Sequence, residues 1–423
     1  MEREYRRTAL PSGITLLTET MPGRLSFEIG VWVKSGARDE PDERLGVSHL
    51  LEHMMFKGTE RRDARAIAQS LESLGGHLDA FTAREQVCFY ARALGENLPE
   101  VVDVLGDIVC RSRLAEPDVA KEKSVVREEI LAYEDSPEEK INDLLAEQVW
   151  GTHGLGRPIL GTAETVDALT PEALREYYGH RYQPRHLLVC AVGPIEHDRL
   201  AALVERHFAP PSGDAMALST APPAFRPSVR HAGHDLQQLY ISLGTRGVPY
   251  GDLDHHPLLV LNTLLGGGMS SRLFQSVREE AGLAYSVYSV PDFFRDAGMF
   301  SIHMGVLPER GREALRRTRE ELARLRDEGP DEAEVDAARR QVKGSVVMDN
   351  ESLSARMHLL AHEEIYNARY LSLEQQIERI LAVTRDQVTA AARRYLDPAS
   401  FALTAWGLAP EGPIGADDWP TAG

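Results

Sequence analysis

Cysteine is scarce: three residues, Cys88, Cys110 and Cys190, in a chain of 423. They lie far apart in apolar segments and form no C-x-x-C pair. That argues against a disulfide framework or a cysteine-ligated zinc site and for reduced core thiols in a cytoplasmic protein. Positive charge is also short, with 47 Lys and Arg against 65 Asp and Glu and a net charge of −18. Nucleic acid and anionic membranes both need basic patches, so neither is expected as a partner. The acidic surplus favours solubility and would suit a basic peptide substrate. No apolar run reaches bilayer-spanning length. Nor does an apolar stretch follow Met1-Glu2-Arg3-Glu4-Tyr5-Arg6-Arg7, as a secretory signal requires.

What remains is an ordinary globular composition, 43% hydrophobic and 26% charged. The length exceeds one core and suggests two or three domains. Strand-like runs cover 14–18 and 27–33, followed by helical patterns near 47–57 and 63–74. The first of these helices is expected to end at Gly58. An alternating stretch at 77–94 reads as one or two strands. Helices are expected at 97–111, 117–134, 137–150, 171–179 and 197–207, with a strand at 187–192. Residues 209–228 hold five prolines and little charge and read as a linker. Beyond it the order of elements repeats: a strand at 239–243, a helix from about Pro257, helices at 309–327 and 331–348, and a strand at 401–406. Leu94 to Glu100 is echoed by Val306 to Arg310, and Glu116-Pro117-Asp118 by Gly329-Pro330-Asp331. The expected fold is therefore α+β, with two homologous domains at 1–208 and 229–423. Each should be a mostly antiparallel sheet with helices packed on one face.

The chemistry concentrates in Gly46 to Phe56. As a helix, this stretch puts His49 and His53 one turn apart on one face with Glu52 beside them, while Val47, Leu50, Leu51 and Met54 fill the rest. Two imidazoles at this spacing grip one Zn²⁺, and the carboxylate between them can act on a water. The order H-x-x-E-H is an inverted zinc motif. A hydrolytic site needs a third protein ligand, and the helix at 117–134 carries carboxylates on its buried stripe Val119, Glu122, Val126, Glu129, Tyr133. Glu128 points elsewhere, so Glu129 is the preferred ligand, with Glu122 as a supporting or accessory acid. On the helix alone, two buried ion pairs to arginines are an equal alternative.

Three further features are read as non-functional. Gly266-Gly267-Gly268 lacks the lysine of a phosphate loop and reads as a turn. His358 and His362 are one turn apart, but Glu363 stands on the wrong side for a zinc motif. His255-His256 reads as a helix start.

The sequence resembles the pitrilysin/insulysin family of zinc peptidases, in its bacterial branch similar to the mitochondrial processing peptidase β subunit. The matching stretches are His49 to His53, Glu122 to Glu129, Leu155 to Gly161 and Gly266 to Tyr288. The resemblance implies a glutamate 76 or 77 residues beyond the second histidine as third ligand; Glu129 stands 76 beyond His53. It implies a second glutamate seven residues earlier, Glu122, and one Zn²⁺ per chain. From the second half it implies Arg278 and Tyr285 as donors to the substrate carbonyl. Val342 to Ser345 holds no carboxylate, so only the first half is expected to keep a metal site. The strand Asp79-Ala80-Phe81-Thr82 matches the family's substrate-binding edge, where an extended peptide adds as a strand; the family mostly has asparagine at the position of Asp79. The implied activity is zinc-dependent endoproteolysis of unstructured peptides, by a homodimer or a heterodimer with an inactive paralogue. The competing reading is a non-catalytic partner subunit. A purely structural zinc would leave Glu52 without a purpose.

Overall fold

The computed structural model describes residues 3–211, 213, 218 and 224–420, so most of the predicted linker lies outside the described residues. The first half runs β1 Glu4–Ala9, β2 Thr15–Thr20, β3 Ser26–Val33, α1 Val47–Met55, α2 Ala64–Glu72, β4 His77–Thr82, β5 Val87–Leu94, α3 Leu98–Arg111, α4 Glu116–Glu134, α5 Pro137–Trp150, α6 Ala163–Ala168, α7 Pro171–Arg181, β6 Leu187–Gly193 and α8 His197–His207. The second half runs β7 Val229–Ala232, β8 Leu239–Arg246, α9 His255–Gly266, β9 Ala284–Phe293, β10 Gly298–Val306, α10 Gly311–Glu328, α11 Glu332–Asp349, α12 Leu353–Asn367, α13 Leu373–Leu381, α14 Arg385–Tyr395 and β11 Ala402–Trp406. Among the described residues no helix is long and apolar enough to cross a membrane.

Two mostly antiparallel sheets result. The first has the order β1-β2-β6-β3-β5-β4 and the second β7-β11-β8-β10-β9. Leaving out β1, the two orders correspond strand for strand, and the parallel pair β2·β6 recurs in the same place as β7·β11. The Leu94 and Val306 echoes both fall where a strand ends and a helix is about to begin. The two halves are thus one motif used twice, as expected from the repeated order.

β3 shows why each sheet needs two covers. Its sequence, Ser-Phe-Glu-Ile-Gly-Val-Trp-Val, is buried along nearly its whole length rather than at alternate positions. Phe27, Ile29, Val31 and Val33 face a core built with α1, α3, α4 and α7. Trp32 faces the other way, into a second core with Cys88, Leu188, Cys190 and the α12 residues Leu353, Met357, Leu360 and Ala361. Gly30 makes room for it: a Cβ there would lie 2.5 Å from the Trp32 ring. In the second sheet the main core gathers Ile241, Leu243, Phe300 and Leu403, while Leu145, Ala146, Val149 and Trp150 of α5 cover Met299 and Ala402 on the opposite face.

The second covers are exchanged. α5 follows α4 in the chain but packs on the second sheet, and α12 follows α11 but packs on the first. The compact units are accordingly Met1–Ala132 with Arg157–Ser219 and Asp349–Tyr370, and Tyr133–Gly156 with Thr220–Met348 and Leu371–Gly423. The division expected from the sequence, 1–208 and 229–423, differs by these two helices. An amphipathic pattern shows that a helix buries a face, not which sheet receives it. Polar contacts hold each visitor. In the first unit Arg356 of α12 forks onto Glu19 of β2 (Nε to Oε1 2.9 Å), and Arg7 pairs with Glu364 at 2.7 Å. In the second, Gln148 donates to the Ser228 carbonyl at 2.8 Å and accepts from the Thr404 hydroxyl.

Smaller differences have local causes. α1 stops at Met55 rather than Gly58; Gly58, at φ 139, instead bridges to Asp63. On α4 the buried stripe runs Val119, Glu122, Val126, Ile130, which leaves Glu129 at its margin. β9, β10 and α12 to α14 fall outside the segments read from the sequence.

The Arg356–Glu19 pair, with side chains 1% and 0% exposed, supplies a prediction about stability. Arg356→Met strands a buried carboxylate and should destabilise the first unit by about 3–5 kcal/mol. Glu19→Leu combined with Arg356→Met should recover much of that loss. Urea unfolding followed by Trp32 fluorescence checks both; an Arg356→Met loss under about 1 kcal/mol would mean that apolar packing alone seats α12.

Candidate metal centre

α1 starts with no side-chain cap of its own. Gly46 takes φ 86, and its N–H donates to Glu40 Oε2 at 2.8 Å while Ser48 N–H donates to Glu40 Oε1 at 2.7 Å. The Glu40 carboxylate thus satisfies the orphan donors of the first turn from outside the helix. Burial pushes Glu40 up to about 7, and the two backbone donors oppose that rise. Arg157 donates to the Glu40 carbonyl at 3.0 Å and pairs with Asp42. Gly46 and Gly161 sit back to back: a Cβ on Gly46 would lie 2.5 Å from Leu160 O, and one on Gly161 2.5 Å from Leu45 O. The stretch Arg157 to Gly161 is therefore the seat of the α1 N-terminus. Nothing in the local pattern around Glu40 marks it for this role from sequence.

Set this way, α1 turns its apolar residues into the first core and its ionisable strip toward α4 and β4. Glu129 Oε2 lies 3.7 Å from His49 Nε2 and 3.4 Å from His53 Nε2. Among the described residues His49, His53 and Glu129 form the only three-residue grouping fit to hold a metal ion, their ligand atoms all within 4.8 Å. A tetrahedral zinc with bonds of about 2.0–2.1 Å has ligand–ligand edges of about 3.3 Å, close to both measured separations. Glu129 Oε2 is buried and accepts no hydrogen bond in this arrangement. Burial, helped by the neighbouring His53, lowers His49 to about 4, which keeps it the neutral imidazole a metal requires. The residues fit Zn²⁺. Glu128 is exposed, whereas Glu129 Oε2 lies beside both histidines.

Behind His53 lies Glu122, whose Oε2 is 3.3 Å from His53 Nδ1 and whose Oε1 is 2.9 Å from Lys57 Nζ. No sequence signal singles out Lys57. A cation next to a motif histidine is ordinary until the buried carboxylate between them is located.

Glu52 projects toward β4 and accepts the Thr82 hydroxyl at 2.5 Å. Burial pushes the Glu52 carboxyl up, while the Thr82 hydroxyl and His53 oppose the rise. Among the described residues β4 pairs with β5 alone and forms the edge of the first sheet. Ala83 N–H donates to Gln86 O at 2.8 Å, and ladder alternation then turns the backbone groups of Leu78, Ala80 and Thr82 outward. The open donor of Ala80 is met by the Asp79 carboxylate at 2.8 Å, and Tyr90 donates its hydroxyl to the same carboxylate at 3.3 Å. Phe81 points to the opposite face, against the α12 core.

Arg278 and Tyr285 lie in the second unit. Arg278 sits on a π-helical turn, Phe274–Glu279, and Gly282 at φ 60 turns the chain into β9, where Tyr285 is 75% exposed. The Arg278 guanidinium carbon stands 4.8 Å from the Phe274 ring centre and 5.7 Å from that of Tyr285. Such turns recur at functional positions because they re-aim a side chain. Gly266 and Gly267 end α9, and His255 begins it. His358 packs edge-on against Trp32, 5.6 Å between ring centres. Cys88, Cys110 and Cys190 are free and buried.

Residues 15–163 match the family model described as Insulinase (Peptidase family M16), and 168–342 the model described as Peptidase M16 inactive domain. A protein of Mycobacterium tuberculosis named uncharacterized zinc protease is 40% identical over 400 residues, covering 92% of this chain and 90% of that protein. Another so named, from Bacillus subtilis, is 36% identical over 389 residues, covering 92% and 95%. The crystal structure of a protease from Helicobacter pylori superposes with a TM-score of 0.90 at 20% identity, covering 96% of this chain and all of that one (100%). A structure of a peptidase M16 inactive domain from Pseudomonas fluorescens gives 0.90 at 22%, covering 96% and 98%. By these matches over most of its length, on top of the shared fold, the chain belongs to peptidase family M16, the insulinase family.

Proposed function

We propose that this protein is a zinc metalloendopeptidase that cleaves unstructured peptides held as an added strand along β4. The observation that carries this reading is the convergence of His49, His53 and Glu129 beside a half-buried Glu52 and an open sheet edge in one unit. His49 Nε2, His53 Nε2 and Glu129 would hold one Zn²⁺ per chain. Bound there, Zn²⁺ acidifies a water and polarises the scissile carbonyl. Glu52 takes one proton from the attacking water and delivers it to the leaving amide nitrogen; the remaining acid proton then passes to the freed amine, so water and a peptide bond become a carboxylate and an ammonium. Thr82 keeps the Glu52 carboxylate in place for both transfers. Arg278 and Tyr285 are proposed as donors to the carbonyl oxygen as it gains charge. The exposed backbone of Leu78, Ala80 and Thr82 would pair with the peptide, after its carbonyl displaces the Asp79 carboxylate from Ala80 N–H. Relatives named zinc proteases support the class of reaction. A cytoplasmic location and a homodimer or heterodimer belong to the same proposal. A non-catalytic partner role would leave the intact set His49, Glu52, His53 and Glu129 unused.

Metal binding and chemistry should separate. Glu52→Gln should keep stoichiometric zinc while kcat on a quenched peptide falls about 10²–10⁴-fold. Glu129→Ala should lose zinc as well. Normal zinc in Glu129→Ala together with loss in Glu128→Ala would assign the third ligand elsewhere.

Tyr285→Phe should lower kcat about 10²-fold at unchanged zinc content, the usual loss for one oxyanion donor. An unchanged kcat would remove Tyr285 from the chemistry.

A strand-adding site needs a substrate whose backbone is free. A stable small domain should resist cleavage while its unfolded variant of nearly the same sequence is cut. Equal rates, under conditions where the domain stays folded, would overturn strand addition as the binding mode.

A further inference from the structure

We propose that Lys57 is a positioning residue for His53, acting through Glu122. Its ammonium holds the Glu122 carboxylate so that this carboxylate fixes the His53 ring with the proton on Nδ1 and the Nε2 lone pair toward Glu129. The inference rests on the reading of His53 as a metal ligand.

Glu122 is 1% exposed and stands on α4 between the buried Val119 and Val126. A buried carboxylate in such surroundings persists only with partners for its oxygens. The two side chains on it are Lys57, 2.9 Å from Oε1, and His53, whose Nδ1 is 3.3 Å from Oε2. Each oxygen has its own partner, so the carboxylate plane is set from both ends. The base of Lys57 is fixed too. Its N–H donates to Met54 O at 3.2 Å, and the next residue, Gly58, accepts from Arg113 N–H at 3.0 Å. Lys57 therefore moves with the helix that carries His53, and its side chain, 33% exposed, crosses the short gap to α4.

The two histidines differ in this respect. His49 Nδ1 is buried and has no hydrogen-bond partner among the described residues. Of the two, His53 has the carboxylate behind it, so His53 is the ligand whose tautomer and ring angle the protein determines. An imidazole protonated on Nδ1 offers Nε2 as a donor atom; the other tautomer would turn an N–H toward Glu129. Without Lys57, Glu122 Oε1 loses its partner, and the carboxylate can rotate off His53.

The simpler account makes Lys57 a cation at the C-terminal end of α1, favourable through the helix dipole alone. That role would not depend on Glu122, and a double-mutant cycle separates the two.

Zinc dissociation constants of the full chain would be measured by chelator competition for wild type, Lys57→Met, Lys57→Arg, Glu122→Gln and the Lys57→Met/Glu122→Gln pair. Lys57→Met should weaken zinc about 10–100-fold, the usual effect of losing a ligand's supporting partner. Lys57→Arg should recover most of the affinity. In the Glu122→Gln background, Lys57→Met should add less than about twofold, because the path it acts through is gone. Ring ¹⁵N shifts of His53 in the metal-free protein should show the Nδ1–H tautomer in wild type and Lys57→Arg, and a mixture in Lys57→Met. Unchanged affinity in Lys57→Met, or the same loss in both backgrounds, would overturn the proposal. If wild type takes up no zinc, the metal-site reading fails by itself. The ¹⁵N measurement, made without metal, then still decides what Lys57 does to His53.

Discussion

A helix that is buried on most of its surface and still carries two imidazoles and a carboxylate on one strip is an electrostatic problem. In a low-dielectric interior each ionisable group must find a partner or go neutral. The structure around α1 is a set of answers. His49 goes neutral, Glu52 takes the Thr82 hydroxyl, and Glu122 is held between Lys57 and His53. Glu129 is left with a buried oxygen that no hydrogen bond satisfies, pointed at two imidazole nitrogens. A carboxylate oxygen facing two imidazole nitrogens across such distances is what a cation satisfies.

Precision at that site is inherited from parts of the chain far from the motif. Glu40 caps α1, Arg157 grips the Glu40 carbonyl, and two glycines, Gly46 and Gly161, permit the close approach that brings these segments together. Tyr177 on α7 reaches the Ser48 hydroxyl at 2.9 Å. The helix is therefore located by its N-terminus, while the ligands act from its middle and C-terminal turns. A rigid support one turn away is what a ligand set needs if its atoms are to stay within a few tenths of an ångström.

The exchanged helices set the first sheet's rigidity in a similar way. β3 and β5 stand between the main core and the Trp32 core, and β4, the strand with the open edge, leans on β5. Without α12 the face holding Trp32, Cys88 and Leu188 would be bare. The sheet that presents the peptide edge is thus completed by a helix encoded in the other half of the sequence, although its own half already contains a helix, α5, at the corresponding place in the repeat.

Much was legible without coordinates. The spacing of His49, Glu52 and His53 determines that they share a face, because a helix has 3.6 residues per turn whatever surrounds it. Two carboxylates on an otherwise apolar stripe at 117–134 pointed to α4 by the same rule, and strand order was echoed in repeated turn sequences. These are local properties, written in periodicity and turn chemistry. What the sequence did not contain was partner choice. Which sheet receives α5 and α12, that Glu40 rather than a residue at the helix start caps α1, that Lys57 meets Glu122, and that Asp79 closes its own strand's Ala80 N–H are decided only when distant segments meet. Periodicity reports that a face is apolar or a group charged; burial and distance, which assign the partner, exist only in the folded chain.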